Sequence, residues 1–165
     1  MKRNRQGFTL IELLIVVAII GIIVAIAIPN LLNAIQRAKQ RRTMGDIRST
    51  ATAIEAYSVD FNRYPPAAAF AWNSGVAVGI SVPAATLGKL SNYVSPTYIR
   101  VVPLADGWNS WFLYSATSDG SAYAVASTGR DGKTAAGPGG ATTDFNSDIV
   151  YANGQFIQYP EGVQR

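Results

Sequence analysis

GFTLIELLIVVAIIGIIVAIAIP, residues 7–29, is the stretch of this 165-residue chain that decides its fold. The run from Phe8 to Ile28 is almost purely apolar, and a helix of about 20 apolar residues spans a bilayer. An ordinary secretory signal has a shorter apolar core followed by a small-residue cleavage site, and this run continues instead into helix-like sequence. Basic residues stay on the cytoplasmic side of a membrane, and three precede the run: Lys2, Arg3 and Arg5. The pattern predicts a single membrane-spanning helix with a cytoplasmic leader.

Glu12 is the one carboxylate within the apolar run. A charge at the bilayer centre costs about 2.5–3.5 kcal/mol, less near an end, and such residues usually have a function. Two interpretations are open at this point. In the first, Glu12 lies at the level of the headgroups and its charge costs little. In the second, Glu12 pairs with a cation in the same apolar layer, which offsets the desolvation of both groups.

The ordered stretch 7–29 resembles the class III signal of the type IV pilin and pseudopilin superfamily. The resemblance implies that a prepilin peptidase cuts between Gly7 and Phe8, and that the new amino terminus at Phe8 is N-methylated. It also implies that Glu12 recognises the terminal amine of a neighbouring subunit during filament assembly. The physics is consistent, because a buried carboxylate needs a partner and an N-terminal ammonium in the same layer is a suitable one.

The charge and composition argue against several classes of function. The chain has 14 basic and 10 acidic side chains. Removal of residues 1–7 takes away three basic ones, which leaves 11 basic and 10 acidic side chains and a net side-chain charge of +1. The high isoelectric point therefore reflects the leader, and no nucleic-acid partner is expected. A basic cluster follows the apolar run, and it is interpreted either as a solvated helix face or as a contact with lipid headgroups or adjacent subunits: Arg37, Lys39, Arg41 and Arg42.

Histidine and cysteine are both absent from the chain. Their absence removes the commonest general base and the usual nucleophile pairs, and the sequence offers neither a Ser-x-x-Lys context nor a separate carboxylate pair in their place. The chain is therefore predicted not to be an enzyme. It also cannot form a disulfide, so an exported domain must be stabilised by packing or by a bound metal.

Apolar residues recur at helical spacing well beyond the membrane run, which predicts one long helix to about residue 60. Tyr64-Pro65-Pro66 ends it, because the residue before a proline is pushed out of the α region. Gly21 and Pro29 both disfavour a helix, and they predict a bend or a locally melted stretch between them. Members of the resembled superfamily likewise lose helix there in their filaments.

The C-terminal third carries β signals. Asp119-Gly120 and Asn153-Gly154 favour tight turns, and the second is the strongest short hairpin signal. Each turn lies between two strand-like segments, which pair 111–115 with 122–127 and 149–152 with 155–159. The predicted fold class is α+β. A long N-terminal helix, transmembrane in its first half and amphipathic in its second, packs on a small antiparallel sheet as in the pilin fold.

Five segments follow from these signals. The connector between helix and sheet is rich in Ala, Ser, Gly and Val, and its only expected element is a short helix near residues 84–90. The segments are a leader (1–7), a transmembrane and filament-core helix (8–33), an amphipathic helix (34–64), a variable loop connector (65–100) and an antiparallel β region with a candidate calcium loop (101–165).

The loop between the two hairpins, residues 129–146, is long for a compact domain, and such loops are usually functional or disordered. Its aspartates and free carbonyls suit calcium, a hard cation that takes 6–8 oxygen ligands. The spacing is not that of an EF-hand. The alternative is a solvated loop with aspartates at its turns.

Two further stretches look like the major pseudopilins of type II secretion: YAVASTGRDG (123–132) with Asp148-Ile149, and DIRSTATAIEAYSVDFNRYP (46–65). The resemblance implies a structural Ca²⁺ held by the side chains of Asp131 and Asp148. Further candidates are Ser127, the backbone carbonyls near Thr128 and Gly129, and a provisional Asp144. This chain departs from the family in two ways. The family's D-P-W-G-N is Ala-Asp-Gly-Trp-Asn at 105–109, and the loop is longer and less acidic.

The leading functional hypothesis is a structural subunit of a type II secretion pseudopilus, a homo-oligomeric helical filament that drives protein export. The resemblance implies a bacterial inner-membrane protein with a periplasmic C-terminal domain. Its implied partners are the prepilin peptidase, the inner-membrane assembly platform with its ATPase, and the minor pseudopilins. The alternative is the major subunit of a surface type IV pilus for motility, adhesion or DNA uptake. The missing disulfide favours the pseudopilus, and Glu12 favours a main-body subunit over a tip subunit.

Overall fold

The computed structural model describes residues 7–67, 85–134 and 139–161, with the backbone alone for 85–89. Most of the predicted leader and half of the predicted connector, residues 1–6 and 68–84, lie outside the described residues. The chain divides into two compact units, Met1–Ile35 and Gln36–Arg165. This division falls close to the predicted end of the transmembrane segment.

Helix α1 extends over Leu10–Phe61 and contains Pro29. The predicted melted stretch between Gly21 and Pro29 is therefore not present in this structure. A proline removes one helical hydrogen bond, and melting would expose many more backbone groups in an apolar segment that offers them no other partner. The Asn30 side chain adds a bond in the same turn, since its Nδ2 donates to the carbonyl of Ile26 at 3.1 Å. The loss of helix implied for an assembled filament stays a prediction.

The first unit exposes its apolar side chains. Its described large hydrophobic side chains are all exposed, with exposed fractions that range from 42 % at Ile35 to 82 % at Phe8. By length and composition, α1 is able to cross a membrane. A continuous apolar surface of this kind marks a membrane or protein contact. The first unit therefore needs an apolar environment that its own chain does not supply.

The second unit encloses the hydrophobic core. The C-terminal part of α1 buries a face at helical spacing, including Ile47, Ala51, Ile54 and Tyr57. This face packs in one cluster with buried residues of the sheet, such as Tyr114 and Val125. Asn62 follows the helix with φ 51°, a left-handed cap that asparagine tolerates. The predicted amphipathic helix and its end are thus confirmed.

The remaining elements are β1 (Ala85–Thr86), α2 (Leu87–Val94), β2 (Leu113–Ala116), β3 (Tyr123–Ser127), β4 (Gly140–Thr142), β5 (Ile149–Ala152) and β6 (Gln155–Pro160). The six strands form one sheet of order β1-β2-β3-β5-β6-β4. Both predicted hairpins are present, β2 with β3 and β5 with β6. The tight turns also match, since Gly120, Asn153 and Gly154 adopt positive φ angles.

Two features of the sheet differ from the prediction. Strand β4 pairs parallel with β6, so the sheet is not wholly antiparallel. It comes from the loop between the hairpins, and its pairing is with a distant strand rather than across a tight turn. In addition, the connector is not only loop, because β1 and α2 lie within it. Helix α2 begins three residues later than the short helix expected at 84–90.

Two buried tyrosines fasten the end of α1 to the sheet. The Tyr114 hydroxyl donates to the carbonyl of Pro65 at 2.7 Å, and the Tyr123 hydroxyl donates to Glu55 Oε1 at 2.7 Å. Burial raises the pKa of both phenols, so each remains a proton donor over the physiological pH range.

A tight loop at residues 105–110, after α2, contacts the N-terminal end of the part of α1 that belongs to the second unit. The backbone N–H of Gly107 donates to Thr43 Oγ1 at 2.9 Å, and Trp108 Nε1 donates to Gln36 Oε1 at 2.6 Å. A Cβ at Gly107 would lie 2.5 Å from the Lys39 carbonyl oxygen. The absence of a side chain at Gly107 is what lets the loop approach the helix backbone.

Gly107→Ala is expected to lower the free energy of unfolding by about 1–3 kcal/mol, the usual cost of overpacking a close contact. Urea unfolding of fragment 36–165, followed by circular dichroism, measures the change. Gly45→Ala is the matched control, because nothing lies within 4 Å of the Cβ it would add. An unchanged transition midpoint in Gly107→Ala would contradict the close approach.

Candidate functional site

Glu12 and Thr9 form a reciprocal cap at the start of α1. The backbone N–H of Thr9 donates to Glu12 Oε2 at 2.9 Å, and the Thr9 hydroxyl donates to the same oxygen at 2.7 Å. In return, the backbone N–H of Glu12 donates to Thr9 Oγ1 at 3.3 Å. This is a capping box, which satisfies two of the backbone donors left open at a helix start. Thr9 was missing from the sequence prediction, although the spacing T-x-x-E carries that signal.

The cap fixes the carboxylate near the predicted cleavage point. Within the described residues, both bonds accepted by Glu12 use Oε2, so Oε1 is available to a second group. The helix N-terminus adds positive partial charge beside the carboxylate. The arrangement can therefore hold the Glu12 carboxylate in place and present its Oε1 to a cation.

The predicted cleavage point lies in exposed, non-helical chain. Residues 7–9 precede the first turn of α1 and are exposed. No atom lies within 4 Å of the position a Cβ would take at Gly7. Nothing in the described part of the chain therefore requires glycine there, and the peptide bond to Phe8 is accessible to a protease.

The loop predicted to bind calcium packs its two halves together. The backbone N–H of Arg130 donates to the Phe145 carbonyl at 3.0 Å, and Arg130 Nε donates to Asn146 Oδ1 at 2.9 Å. A Cβ at Gly129, where φ is +65°, would lie 2.8 Å from the Ser147 carbonyl oxygen. These contacts bring the segment that carries Asp131 beside the segment that carries Asp144 and Asp148.

The five candidate ligands differ in their surroundings. Asp131 and Asp144 are exposed, and each accepts a bond from the backbone N–H two residues ahead. Asp148, Ser127 and Thr128 are buried, with exposures of 1 %, 0 % and 7 %. Within the described residues, no three acidic side chains gather into a cluster of the kind that holds a metal.

The hydroxyls of Ser127 and Thr128 suit a cation to different degrees. Ser127 Oγ donates to Asp106 Oδ2 at 2.6 Å and accepts from the backbone N–H of Gly129 at 3.2 Å, so it already has structural bonds on both sides. Thr128 Oγ1 is buried and has no hydrogen-bond partner in the described part of the chain. Such an orphaned oxygen is compatible with a cation ligand, whereas Ser127 is better explained as a structural residue.

Asp106 was missing from the predicted site residues. It is 3 % exposed, and its Oδ1 accepts from the backbone N–H groups of Trp108 and Ser110, both at 2.9 Å. Together with the bond to Ser127, it joins the loop docked on α1 to the base of the calcium loop. The Asp-Gly turn signal at 106–107 was available in the sequence.

Comparison with known proteins covers most of the chain, up to residue 150. A family model for the prokaryotic N-terminal methylation motif matches residues 2–28, and one for the type II secretion system protein G matches residues 30–150.

Three relatives are each described as a type II secretion system core protein G. The protein of Escherichia coli (strain K12) is 31% identical over 131 residues, which cover 79% of this chain and 85% of the relative. The protein of Dickeya chrysanthemi is 30% identical over 133 residues, which cover 81% of this chain and 75% of the relative. The protein of Vibrio cholerae is 30% identical over 131 residues, which cover 79% of this chain and 84% of the relative. These matches confirm the resemblance inferred from the sequence, and the chain belongs to the type II secretion system protein G family.

Proposed function

We propose that this chain is the structural subunit of a type II secretion pseudopilus, cut after Gly7 by a prepilin peptidase. Family membership and the methylation motif support this function. The observation that carries it is the contrast between the two units. Residues 36–165 bury a core of their own, whereas residues 8–35 expose their large apolar side chains. Such a helix is suited to move from lipid into a bundle of identical helices.

The physical chemistry of this transfer favours Glu12 as the residue that sets the register. Lipid and helix bundle are both apolar, so burial of hydrophobic surface does not by itself distinguish them. A carboxylate and an ammonium in that layer attract each other strongly, because the dielectric constant is low. Glu12 of one subunit and the freed amine at Phe8 of the next form that pair. The subunit can then join the filament in only one axial position.

Orientation and partners follow from the same features. The basic leader stays in the cytoplasm, which places residues 36–165 in the periplasm. Extraction from the inner membrane requires an assembly platform with its ATPase, and the filament grows beneath a tip of minor pseudopilins. The work of the chain is structural rather than catalytic, and filament growth moves the exported protein.

Electron microscopy of filaments sheared from cells tests this function. The cells overproduce the chain together with a type II secretion system. We expect filaments whose subunits begin at Phe8 by mass spectrometry. Cells that process the chain but form no filaments would contradict the proposed function.

We further propose that the loop 127–148 holds a structural Ca²⁺ through Asp131, Asp148 and the Thr128 hydroxyl, with Asp144 as a provisional ligand. Support comes from the buried, unpartnered Thr128 Oγ1 and from the contacts that bring the two halves of the loop together. When bound, calcium would cross-link those halves by coordination to their oxygens.

Calcium is expected to raise the melting temperature of fragment 36–165 by several degrees relative to a chelator. A ligand at 100 times its Kd adds about 2.7 kcal/mol to stability, provided that it binds only the folded state. Asp131→Ala should abolish the shift. Asp119→Ala, an exposed aspartate in the β2–β3 turn, should retain it. Absence of a shift in the unmodified fragment would exclude calcium from the loop.

A further inference from the structure

A groove of about 310 Å³ lies between α1 and β6 on the second unit. Its α1 side is formed by residues at spacings of three, four and seven, which share one face of a helix. Phe156 of β6 forms the other side. The α1 residues that line it are Arg41, Met44, Gly45 and Arg48.

Gly45 opens the groove at its middle. Glycine is among the least favourable residues inside a helix, so it needs a reason at this position. At Gly107 the reason is the Lys39 backbone, but at Gly45 nothing lies within 4 Å of the Cβ that a larger residue would add. The packing of the described residues therefore does not account for Gly45, and the space above it is open.

The two ends of the groove carry positive charge. Arg41 and Arg48 are exposed, and neither forms an ion pair with a carboxylate among the described residues, whereas Arg42 pairs with Asp46 at 3.5 Å. The Arg48 guanidinium lies 5.4 Å from the centre of the Phe156 ring, which holds it over the groove. Two arginines beside Met44 and Phe156 suit a carboxylate carried on a partly apolar segment.

We propose that this groove receives a carboxylate-bearing segment of a second copy of the chain in the filament; the proposal rests on the function proposed above. Arg41 belongs to α1, the helix whose first part is proposed above to join a bundle of identical helices, so a contact between copies through the groove would be made by the same helix. The second unit also carries an exposed carboxylate away from α1 that has no proposed calcium role, Asp119. A groove that pairs with a different patch of an identical chain gives a head-to-tail contact, which repeats into a filament.

Filling the groove separates its role in assembly from the stability of the subunit. In the full-length chain, Gly45→Leu should reduce the yield of sheared filaments about tenfold, the fold-change that corresponds to about 1.4 kcal/mol per contact. The melting temperature should not fall, because the added Cβ has no atom within 4 Å and the rest of the side chain enters the open groove. Ser49→Leu is the matched control, since Ser49 is exposed on the same helix but does not line the groove. It should assemble like the unmodified chain.

Three results would bear on the proposal in different ways. Normal filaments from Gly45→Leu would overturn it. Equal losses from Gly45→Leu and Ser49→Leu would overturn it as well, because they would show a general effect of bulk on this helix. Failure of the unmodified chain to form filaments would instead contradict the proposed function.

The double variant Arg41→Gln, Arg48→Gln should lose filaments with an unchanged melting temperature if the groove binds a carboxylate.

Photo-crosslinking identifies the occupant. The chain contains no cysteine, so Ser49→Cys introduces a single thiol next to Arg48 but outside the groove, to which a benzophenone maleimide is attached. Illumination of filaments should give a product with the mass of two copies, and illumination of the subunit in detergent should not. Crosslinks only to lipid or to a different protein would overturn the assignment to a second copy.

Discussion

Glu12→Ala is expected to abolish filament assembly while leaving removal of the leader intact. The substitution removes the charge that pairs with the amine at Phe8 of the next subunit, and it removes the cap that Glu12 forms with Thr9. The amine would then be buried without a partner, which costs far more than the loss of one ordinary hydrogen bond. Immunoblots of processed chain and electron microscopy of sheared filaments measure the two steps separately.

Glu12→Gln separates the charge from the cap. Glutamine forms the capping box as well as glutamate does, but it offers no negative charge to an ammonium. We expect Glu12→Gln to be processed and yet to fail in assembly like Glu12→Ala. If Glu12→Gln assembles normally and Glu12→Ala does not, the role of residue 12 is to cap the helix, and the proposed pairing is wrong.

Gly7→Leu is expected to leave the entire leader on the chain. The fold should tolerate the change, because no atom lies within 4 Å of the added Cβ. The requirement for glycine is therefore attributed to the peptidase, which must approach the bond between Gly7 and Phe8. Without cleavage, no amine forms at Phe8, so filament assembly should be lost as well. Intact-mass measurement of the membrane-extracted chain distinguishes the cut from the uncut form by seven residues.

Gly21→Leu provides the matched control for cleavage. Gly21 is also a glycine with no atom within 4 Å of an added Cβ, but it lies inside the apolar run. Its leader should be removed normally. If Gly7→Leu is cleaved as fast as Gly21→Leu, the cleavage point has been assigned to the wrong residue.

Features set by local sequence could be predicted well. The apolar run, the amphipathic face with Ile47 and Ile54, and the Asn153-Gly154 turn are each decided by a few neighbouring residues. Strand β5 was predicted to the residue, at Ile149–Ala152. Glu12 was singled out on local signals alone, because a carboxylate in an apolar run is anomalous wherever the fold places it, and its role stays a prediction.

Features set by distant contacts were missed. The parallel pairing of β4 with β6 joins Gly140 to Gln158, and no local pattern encodes it. Asp106 is a site residue only because the fold brings Ser127 to its carboxylate. A bend or a melted stretch was predicted from the intrinsic preferences of Gly21 and Pro29, and the rest of the helix overrides the melted alternative in this structure.

The most direct measurement of the central claim is a zero-length crosslink between Phe8 and Glu12 in assembled filaments. Subunits labelled with ¹⁴N and ¹⁵N are mixed before assembly, and a carbodiimide then joins carboxylates to amines that touch them. The account predicts linked peptides in which the amino terminus at Phe8 carries one label and Glu12 carries the other. Linked peptides that always carry a single label, or none at this pair of residues, would contradict the claim that Glu12 recognises the amine of a neighbouring subunit.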